Sequence, residues 1–469
     1  MQLNVVILAA GKGKRMASTT PKVMHRLAGI PLLQRVISTA QQLNPYSIQV
    51  VYSNTFEIVR ESFRHWDVAW IDQKEPKGTG HAVQQALPYF HENSRVLVLY
   101  GDVPLISVAT LRRLLNDTPM EGLGVLVATL QDPTGLGRIV RDAQGNMISI
   151  VEHHDATPEQ RAIQEVNTGI VVCHSARLKK WLPLLKPHNQ QQEYYFTDII
   201  KLAAEESLTI NSSFADSEME IQGVNDLWQL ANLERAYQRE NAKRLALSGV
   251  RIMDPERLDV RSESVKIAND VVLDINVVLE GNIVIGCRSA IGVHCVLKDV
   301  EIGEGVTIFP HSIIEGAKIA DGAQVGPFAR IRPGTILEKN SKVGNFVEMK
   351  KTILGPGSKA NHLAYLGDAL IEAEVNIGAG TITCNYDGVN KWSTVIKKGA
   401  FIGSNAALVA PVTVGENATI AAGSIITTNA PAGQLTIARA RQAVVPDWER
   451  PARKTFTEDN PSRDSEPLP

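Results

Sequence analysis

Four cysteines are too few for a disulfide framework in 469 residues, and Cys173, Cys287, Cys295 and Cys384 contain no CxxC pair that would suggest zinc. They read as reduced, mostly buried thiols of a cytosolic protein. An excess of one charge is also lacking. The formal net charge is −2 and no long run of like charge occurs, so a nucleic-acid partner is not expected. Long apolar runs are missing as well. The start, MQLNVVILAAGKGKR, has no basic segment ahead of its apolar stretch, which meets glycine after about eight residues, too short for a signal or a membrane span. The expected compartment is the cytoplasm, with no membrane partner. The length allows roughly two to four domains.

What the chain does have is a six-residue rhythm. Ile267, Leu273, Leu279, Ile285, Ile291 and Leu297 form one series; Ile396, Ile402, Leu408, Val414, Ile420 and Ile426 form another. An α-helix, turning about 100° per residue, would scatter such positions over three faces and give no apolar stripe. A chain that turns a corner every six residues places them all inside one prism, the hexapeptide signature of a parallel β-helix. Small residues often follow directly, as in Ile285-Gly286, Ile302-Gly303, Ile377-Gly378 and Ile402-Gly403, and are expected to relieve the corners.

The first 220 or so residues alternate strand-like and helical patterns, which predicts a largely parallel sheet flanked by helices, with strands at 5–10, 48–52, 95–100, 124–129 and 169–173. Residues 226–248, rich in helix formers and free of glycine and proline, predict one long helix that Gly249 stops. The six-residue pattern then runs from about Val265 to Ile437, with expected interruptions at 350–369 and 381–391. Beyond Asp447 the chain is polar and proline-containing and is expected to fray. Four segments follow: 1–225, the helix 226–249, the β-helix 250–446 and the tail 447–469.

In the first half, the run Val5 to Ala10 opens into Gly11-Lys12-Gly13-Lys14-Arg15-Met16. Glycines after a strand let backbone N–H groups approach a phosphate or a base, although a simple tight turn accounts for them equally well. No Gly-Lys-Ser/Thr follows, and GxGxxG spacing fails at Met16. The combination LAAGKGKRM, Pro21-Lys22, Gly78-Thr79-Gly80-His81 and Leu99-Tyr100-Gly101-Asp102 resembles the nucleotidyltransferase domain of sugar-phosphate nucleotidyltransferases. That resemblance gives each element a role. Asp102, at the end of an apolar strand, and Asn225, in Gly223-Val224-Asn225, are implied Mg²⁺ contacts. Arg15 and Lys22 would meet the triphosphate. Gln73 and Gly78-Thr79 look like base-reading contacts, with Leu8, Ala9, Ala10, Gly11, Tyr100 and Gly101 completing the UTP site. Gly137, Glu152 and Asn167 match the sugar-binding motifs. His81, His153 and His154 are expected to be structural.

In the second half, GPFARIRPG carries Arg330 and Arg332, NFVEMKK carries Lys350 and Lys351, and His362 stands in KANHLAYLGD. Arg332 and Lys350 together suit a phosphate monoester, and an imidazole, ordinarily titrating near about pH 6.5, suits removal of a proton from an amine attacking a thioester. With NIGAGTITCNYDG, these motifs and those of the first half resemble, over roughly residues 3–450, the bifunctional bacterial family of N-acetylglucosamine-1-phosphate uridylyltransferase/glucosamine-1-phosphate N-acetyltransferases. The resemblance implies an α/β nucleotidyltransferase (Rossmann-like) domain, a long linker helix and a left-handed parallel β-helix. It implies His362 as general base, amino-sugar-phosphate contacts from Arg332, Lys350, Tyr365 and Asn376, and acetyl-CoA contacts from Ala379, Asn385, Tyr386, Ser404, Ala422 and Arg439. It also implies UTP and acetyl-CoA as co-substrates, glucosamine 1-phosphate and N-acetylglucosamine 1-phosphate as sugar substrates, a homotrimer, and a product that feeds peptidoglycan and lipopolysaccharide synthesis. Lys14 stands where the family often has threonine. A nucleotidyltransferase whose β-helix only oligomerises or regulates is the alternative, and a scaffold with a degenerate head is a third.

Overall fold

The computed structural model describes residues 2–11, 13–53, 57–262 and 264–453. Lys12 of the glycine loop and residues 454–469 of the tail lie outside the described residues; residues 447–453 are exposed and carry no helix or strand.

The first half is built on a sheet whose main path runs, by strand, Ile210–Phe214, Leu123–Thr129, Glu165–His174, Arg95–Tyr100, Leu3–Leu8, Ser47–Tyr52 and Ala69–Asp72. All neighbours on this path are parallel except Glu165–His174, which runs antiparallel to both of its neighbours. The central strands are aliphatic throughout because both faces are covered. Val6, Leu8, Val96 and Val98 join one core, whereas Val5, Ile7, Leu97 and Leu99 join the other. All five expected strands are present. The two outer ones, Ala69–Asp72 and Ile210–Phe214, were not anticipated: AWID is short, and INSSF is mostly polar, as an edge exposed to water permits. A hairpin of Arg138–Arg141 and Met147–Val151 is attached through Val166.

The long helix spans Leu227–Leu247. Asp226 caps it by accepting from the Gln229 N–H at 2.8 Å, and Gly249 follows its last turn at φ 96°. It is wedged between the two halves. Glu234 accepts from Ala28 N–H at 2.6 Å, and the Arg35 guanidinium lies 4.6 Å from the Tyr237 ring centre. On its other side Gln238 exchanges two hydrogen bonds with the backbone of Val260 in the first coil.

From Arg251 to Thr436 the chain winds as a parallel β-helix. Val272 pairs with Ala290, and Ala290 with Thr307, so one coil takes 18 or 17 residues. Both six-residue series lie in its single core; only Ile267, at the first coil, is partly exposed. Two expectations fail. First, Gly286, Gly303, Gly378 and Gly403, which follow inward aliphatics, do not relieve corners by left-handed backbone. Those positions are held by other glycines, such as Gly305, Gly322, Gly380 and Gly423 at φ 61–74°, and by residues such as Asn276, His294, Phe328, Phe346 and Asn405, at φ 55–59°. The first four glycines are needed because the next coil lies against them: a Cβ on Gly286 would sit 2.6 Å from the Gly303 carbonyl carbon, and one on Gly403 would sit 2.5 Å from Ala422 N. Gly286→Ala is therefore expected to destabilise the β-helix by about 1–3 kcal/mol, as overpacking does, seen as a lowered midpoint in thermal unfolding.

Second, residues 350–369 do not interrupt the helix. Lys342 pairs with Lys359, and Lys359 with Asn376, both at the ordinary spacing. The inward residues here are Met349, Leu354, Ala360, Leu366 and Ile371; a small Ala and two shortened sides hid the rhythm. The insertion at 381–391 is real: Asn376 pairs with Phe401, and the extra residues leave the coil between Cys384 and Thr394.

Candidate active sites

A cavity of about 710 Å³ opens at the carboxyl ends of the central strands. Leu8 pairs with Tyr100, so the loops that follow these strands emerge side by side. Leu8, Ala9, Ala10, Gly11, Arg15, Lys22, Gln73, Gly78, Thr79, Tyr100 and Asp102 all line it. Met16 anchors the glycine loop by burying its side chain with Leu27, Leu32, Val224 and Leu233. Gly13, at φ 56°, crosses Lys22 so closely that a Cβ would lie 2.8 Å from the lysine Cβ. Gly101 is packed beneath the wall, where a Cβ would meet Ala9, Leu33 and Val23 at 3.3 Å.

Lys22 joins three distant segments. Its ammonium forms an ion pair with Asp102 and donates to Asn225 Oδ1 at 3.2 Å. The Val224 N–H donates to the Asp102 carbonyl at 2.9 Å, which fixes the Asn225 loop against the strand end. Tyr100 continues the floor. Desolvation, reinforced by the charges of Glu152 and Asp102, pushes its phenol above the ordinary value.

Gly137, Glu152 and Asn167 form a second cluster beyond Tyr100 and outside the cavity wall. Asn167 N–H donates to the Gly137 carbonyl at 2.9 Å, and a Cβ on Gly137 would lie 3.3 Å from Glu152 Oε2. Glu152 accepts from the Thr197 hydroxyl at 3.0 Å, and burial, aided by Asp198 and Asp155, raises its pKa. Gly169 lets the cluster sit on Tyr100: a Cβ there would be 2.5 Å from the ring. Pro76, Gln191 and Glu193 also line the cavity and were not anticipated. Their loop is held by Gly80 N–H to Tyr194 O and Tyr194 N–H to Lys77 O, both 2.8 Å, long-range bonds with no sequence signal.

On the β-helix, Arg332 and Lys350 follow the paired residues Ile331 and Met349, so they occupy neighbouring rungs. Lys350 is pushed below its ordinary pKa, first by Lys391 and then by desolvation and Arg332. Three cations crowded on a surface suit a phosphate dianion. Lys391, on the inserted loop, was not assigned from the sequence. Tyr365 pairs with Glu348, which in turn accepts from Arg332 at 2.8 Å. Gly367 makes room beside it: a Cβ would meet the Tyr365 hydroxyl at 2.5 Å and Asn385 Nδ2 at 2.8 Å.

His362 is exposed at the end of the strand Lys359–His362, and Asn345 is its partner on the preceding coil. Its Nδ1 lies 3.1 Å from Asn345 Oδ1. Because an amide oxygen only accepts, Nδ1 carries a hydrogen, and in the neutral imidazole Nε2 is then the bare nitrogen. Ala360, Ile377, Ile402 and Ile420 pair in succession, so two residues beyond them His362, Ala379, Ser404 and Ala422 fall in one column. Arg439 closes this column by donating to the Ala422 carbonyl at 2.8 Å. Asn376 shares the same ladder, paired with Lys359 and Phe401. The inserted loop is folded around Asp387, which accepts from Trp392 Nε1 at 2.7 Å and from the N–H groups of Asn390 and Val389. These donors hold its carboxyl down to about 2. The resulting turn presents Tyr386 and Lys391, which bridge across its base.

Residues 5–185 match the MobA-like NTP transferase domain family, and residues 393–428 match the bacterial transferase hexapeptide family of six repeats. Bifunctional protein GlmU of Coxiella burnetii is 58% identical over 454 residues, covering 97% of this chain and all of that one. The chain belongs to the GlmU family.

GlmU proteins of Stenotrophomonas maltophilia and Pseudomonas entomophila are 51% and 52% identical, each covering 97% of this chain and 99% of the relative. As a GlmU-family member the chain is a bifunctional transferase, with a nucleotidyltransferase joined to a hexapeptide acetyltransferase. The reading in which the β-helix serves only oligomerisation is set aside by this match along both halves. Among the described residues, no helix is long and apolar enough to cross a membrane.

Proposed function

We propose that residues 250–446 acetylate glucosamine 1-phosphate from acetyl-CoA, and that residues 1–225 then transfer a uridylyl group from UTP to the N-acetylglucosamine 1-phosphate formed, with 226–249 as the joining helix. The observation that carries the reading is the closure of two separate sites, one around Lys22, Asp102 and Asn225 and one around Arg332, Lys350 and Lys391.

In the acetyltransferase, the three cations hold the sugar phosphate, with Tyr365 and Asn376 beside it. His362 Nε2 takes a proton from the attacking amine. The C–N bond forms, the C–S bond of the thioester breaks, and coenzyme A leaves as the thiol after taking a proton. The column Ala379, Ser404 and Ala422, with Asn385, Tyr386 and Arg439, holds the acyl donor. In the uridylyltransferase, the sugar-phosphate oxygen attacks the α-phosphorus of UTP, and pyrophosphate departs. Arg15 and Lys22 neutralise the triphosphate, Gln73 with Gly78-Thr79 reads the base, and Gly137, Glu152 and Asn167 hold the sugar.

Mg²⁺ fits this site on the donor set. The Asp102 carboxylate and the Asn225 amide oxygen already converge on one cation, the Lys22 ammonium, and both are hard oxygen donors. Bound there, the ion supplies charge neutralisation for phosphoryl transfer. In this reading the protein is a cytoplasmic homotrimer that uses soluble substrates.

One purified sample tests the proposal. It is expected to release thiol from acetyl-CoA only with glucosamine 1-phosphate, and pyrophosphate from UTP only with N-acetylglucosamine 1-phosphate and Mg²⁺. Absence of either release contradicts the assignment of that site.

A further inference from the structure

His81 was expected to be structural, yet it touches the residue assigned to base reading. Gln73 is buried, and its amide nitrogen lies 3.3 Å from the Gly78 carbonyl and 2.9 Å from His81 Nδ1. A carboxamide NH₂ has two hydrogens. With one directed to the carbonyl and the other to Nδ1, both are used, and the remaining hydrogen-bonding group of the amide is its oxygen. His81 must then be neutral, with Nδ1 bare and the proton on Nε2; the Gln85 amide, whose nitrogen lies 3.2 Å from Nε2, must then turn its oxygen to accept that proton. The other groups around the ring are Tyr194, whose ring centre is 6.3 Å away, and the exposed Glu75–Lys77 ion pair. Burial, followed by the Lys77 charge, lowers the His81 pKa and so favours the neutral form.

We propose that His81 is a specificity-determining positioning residue: by accepting from the Gln73 NH₂ it turns the Gln73 carbonyl oxygen toward the nucleotide base and selects uracil over cytosine. The chemistry follows from the two rings. Uracil N3 carries a hydrogen and donates, whereas cytosine N3 is bare and accepts. A fixed carbonyl oxygen pairs with the first and opposes the second. An amide free to rotate offers its NH₂ to cytosine equally well. Protonation of His81 puts a hydrogen on Nδ1 facing the Gln73 NH₂, so acid turns the amide round.

The inference rests on Gln73 reading the base, and the test separates the two. Uridylyl and cytidylyl transfer are measured with UTP and CTP on the full-length protein carrying His81→Phe, His81→Asn or Gln73→Ala. Acetyl transfer by the same samples reports that each variant is folded. His81→Phe keeps a ring but removes the acceptor, and is expected to lower the UTP-over-CTP ratio of kcat/KM about tenfold, the worth of one hydrogen bond of net strength near 1.4 kcal/mol. His81→Asn, whose Oδ1 can replace Nδ1, is expected to restore most of the ratio. The wild-type ratio is expected to fall as pH drops through the lowered His81 pKa, below its ordinary value of about 6.5, whereas the ratio of His81→Asn stays flat. If Gln73→Ala keeps the wild-type ratio, the base-reading role itself is wrong. If Gln73→Ala loses the ratio while His81→Phe retains it at every pH, the inference about His81 is overturned.

Discussion

His362→Ala is expected to lower acetyl transfer by about 10²–10⁴-fold, the usual contribution of a positioned general base, and to leave uridylyl transfer unchanged. The side chain is exposed, and among the described residues its hydrogen bond is to Asn345, so removing it takes nothing from the β-helix core. The loss is therefore expected in kcat for thiol release rather than in the folding midpoint. Under the proposed assignment, proton transfer to His362 belongs to the step in which the amine gains its bond to carbon, so KM for glucosamine 1-phosphate, assigned to Arg332, Lys350 and Lys391, is expected to change little. A variant that lost both activities, or lost only affinity for the sugar phosphate, would show that His362 supports the site instead of acting in it.

Asp102→Ala is expected to produce the opposite pattern. Pyrophosphate release falls by about 10²–10³-fold, as when one preorganised electrostatic contact is removed from a transition state, and acetylation persists. Two effects add in the same direction. The carboxylate proposed here to hold the metal is gone, and among the described residues Lys22 loses its ion-pair partner and keeps its hydrogen bond to Asn225. Raising Mg²⁺ is expected to recover little of the rate, because Asn225 alone supplies one neutral oxygen. Measured by single-turnover uridylyl transfer, a full recovery at high Mg²⁺ would assign Asp102 to metal affinity alone.

Much of this was legible in the sequence, for identifiable reasons. The period of six is a property of side-chain type at fixed spacing, and the buried series from Leu273 to Ile426 reproduces it. The long helix was marked at both ends, by Asp226 and Gly249. What spacing alone did not reveal was distance in space. Lys22, Asp102 and Asn225 meet across most of the first half, and only the resemblance joined them. Lys391 was passed over because nothing in the inserted loop announces that it returns to Lys350. The interruption expected at 350–369 was an error of the same kind: Ala360 is an inward residue too small to be counted as part of an aliphatic rhythm. The glycines were assigned to the right places for the wrong reason, since the coil-to-coil distance that excludes a Cβ at Gly286 is a property of the neighbouring turn.

The claim that two independent sites act in sequence is tested most directly by mixing the Asp102→Ala and His362→Ala proteins. Each alone, supplied with glucosamine 1-phosphate, acetyl-CoA, UTP and Mg²⁺, is expected to make almost no UDP-N-acetylglucosamine. Together they are expected to make it at a substantial rate, because the acetylated intermediate passes through solution from one protein to the other. A mixture no more active than either variant alone would contradict the account.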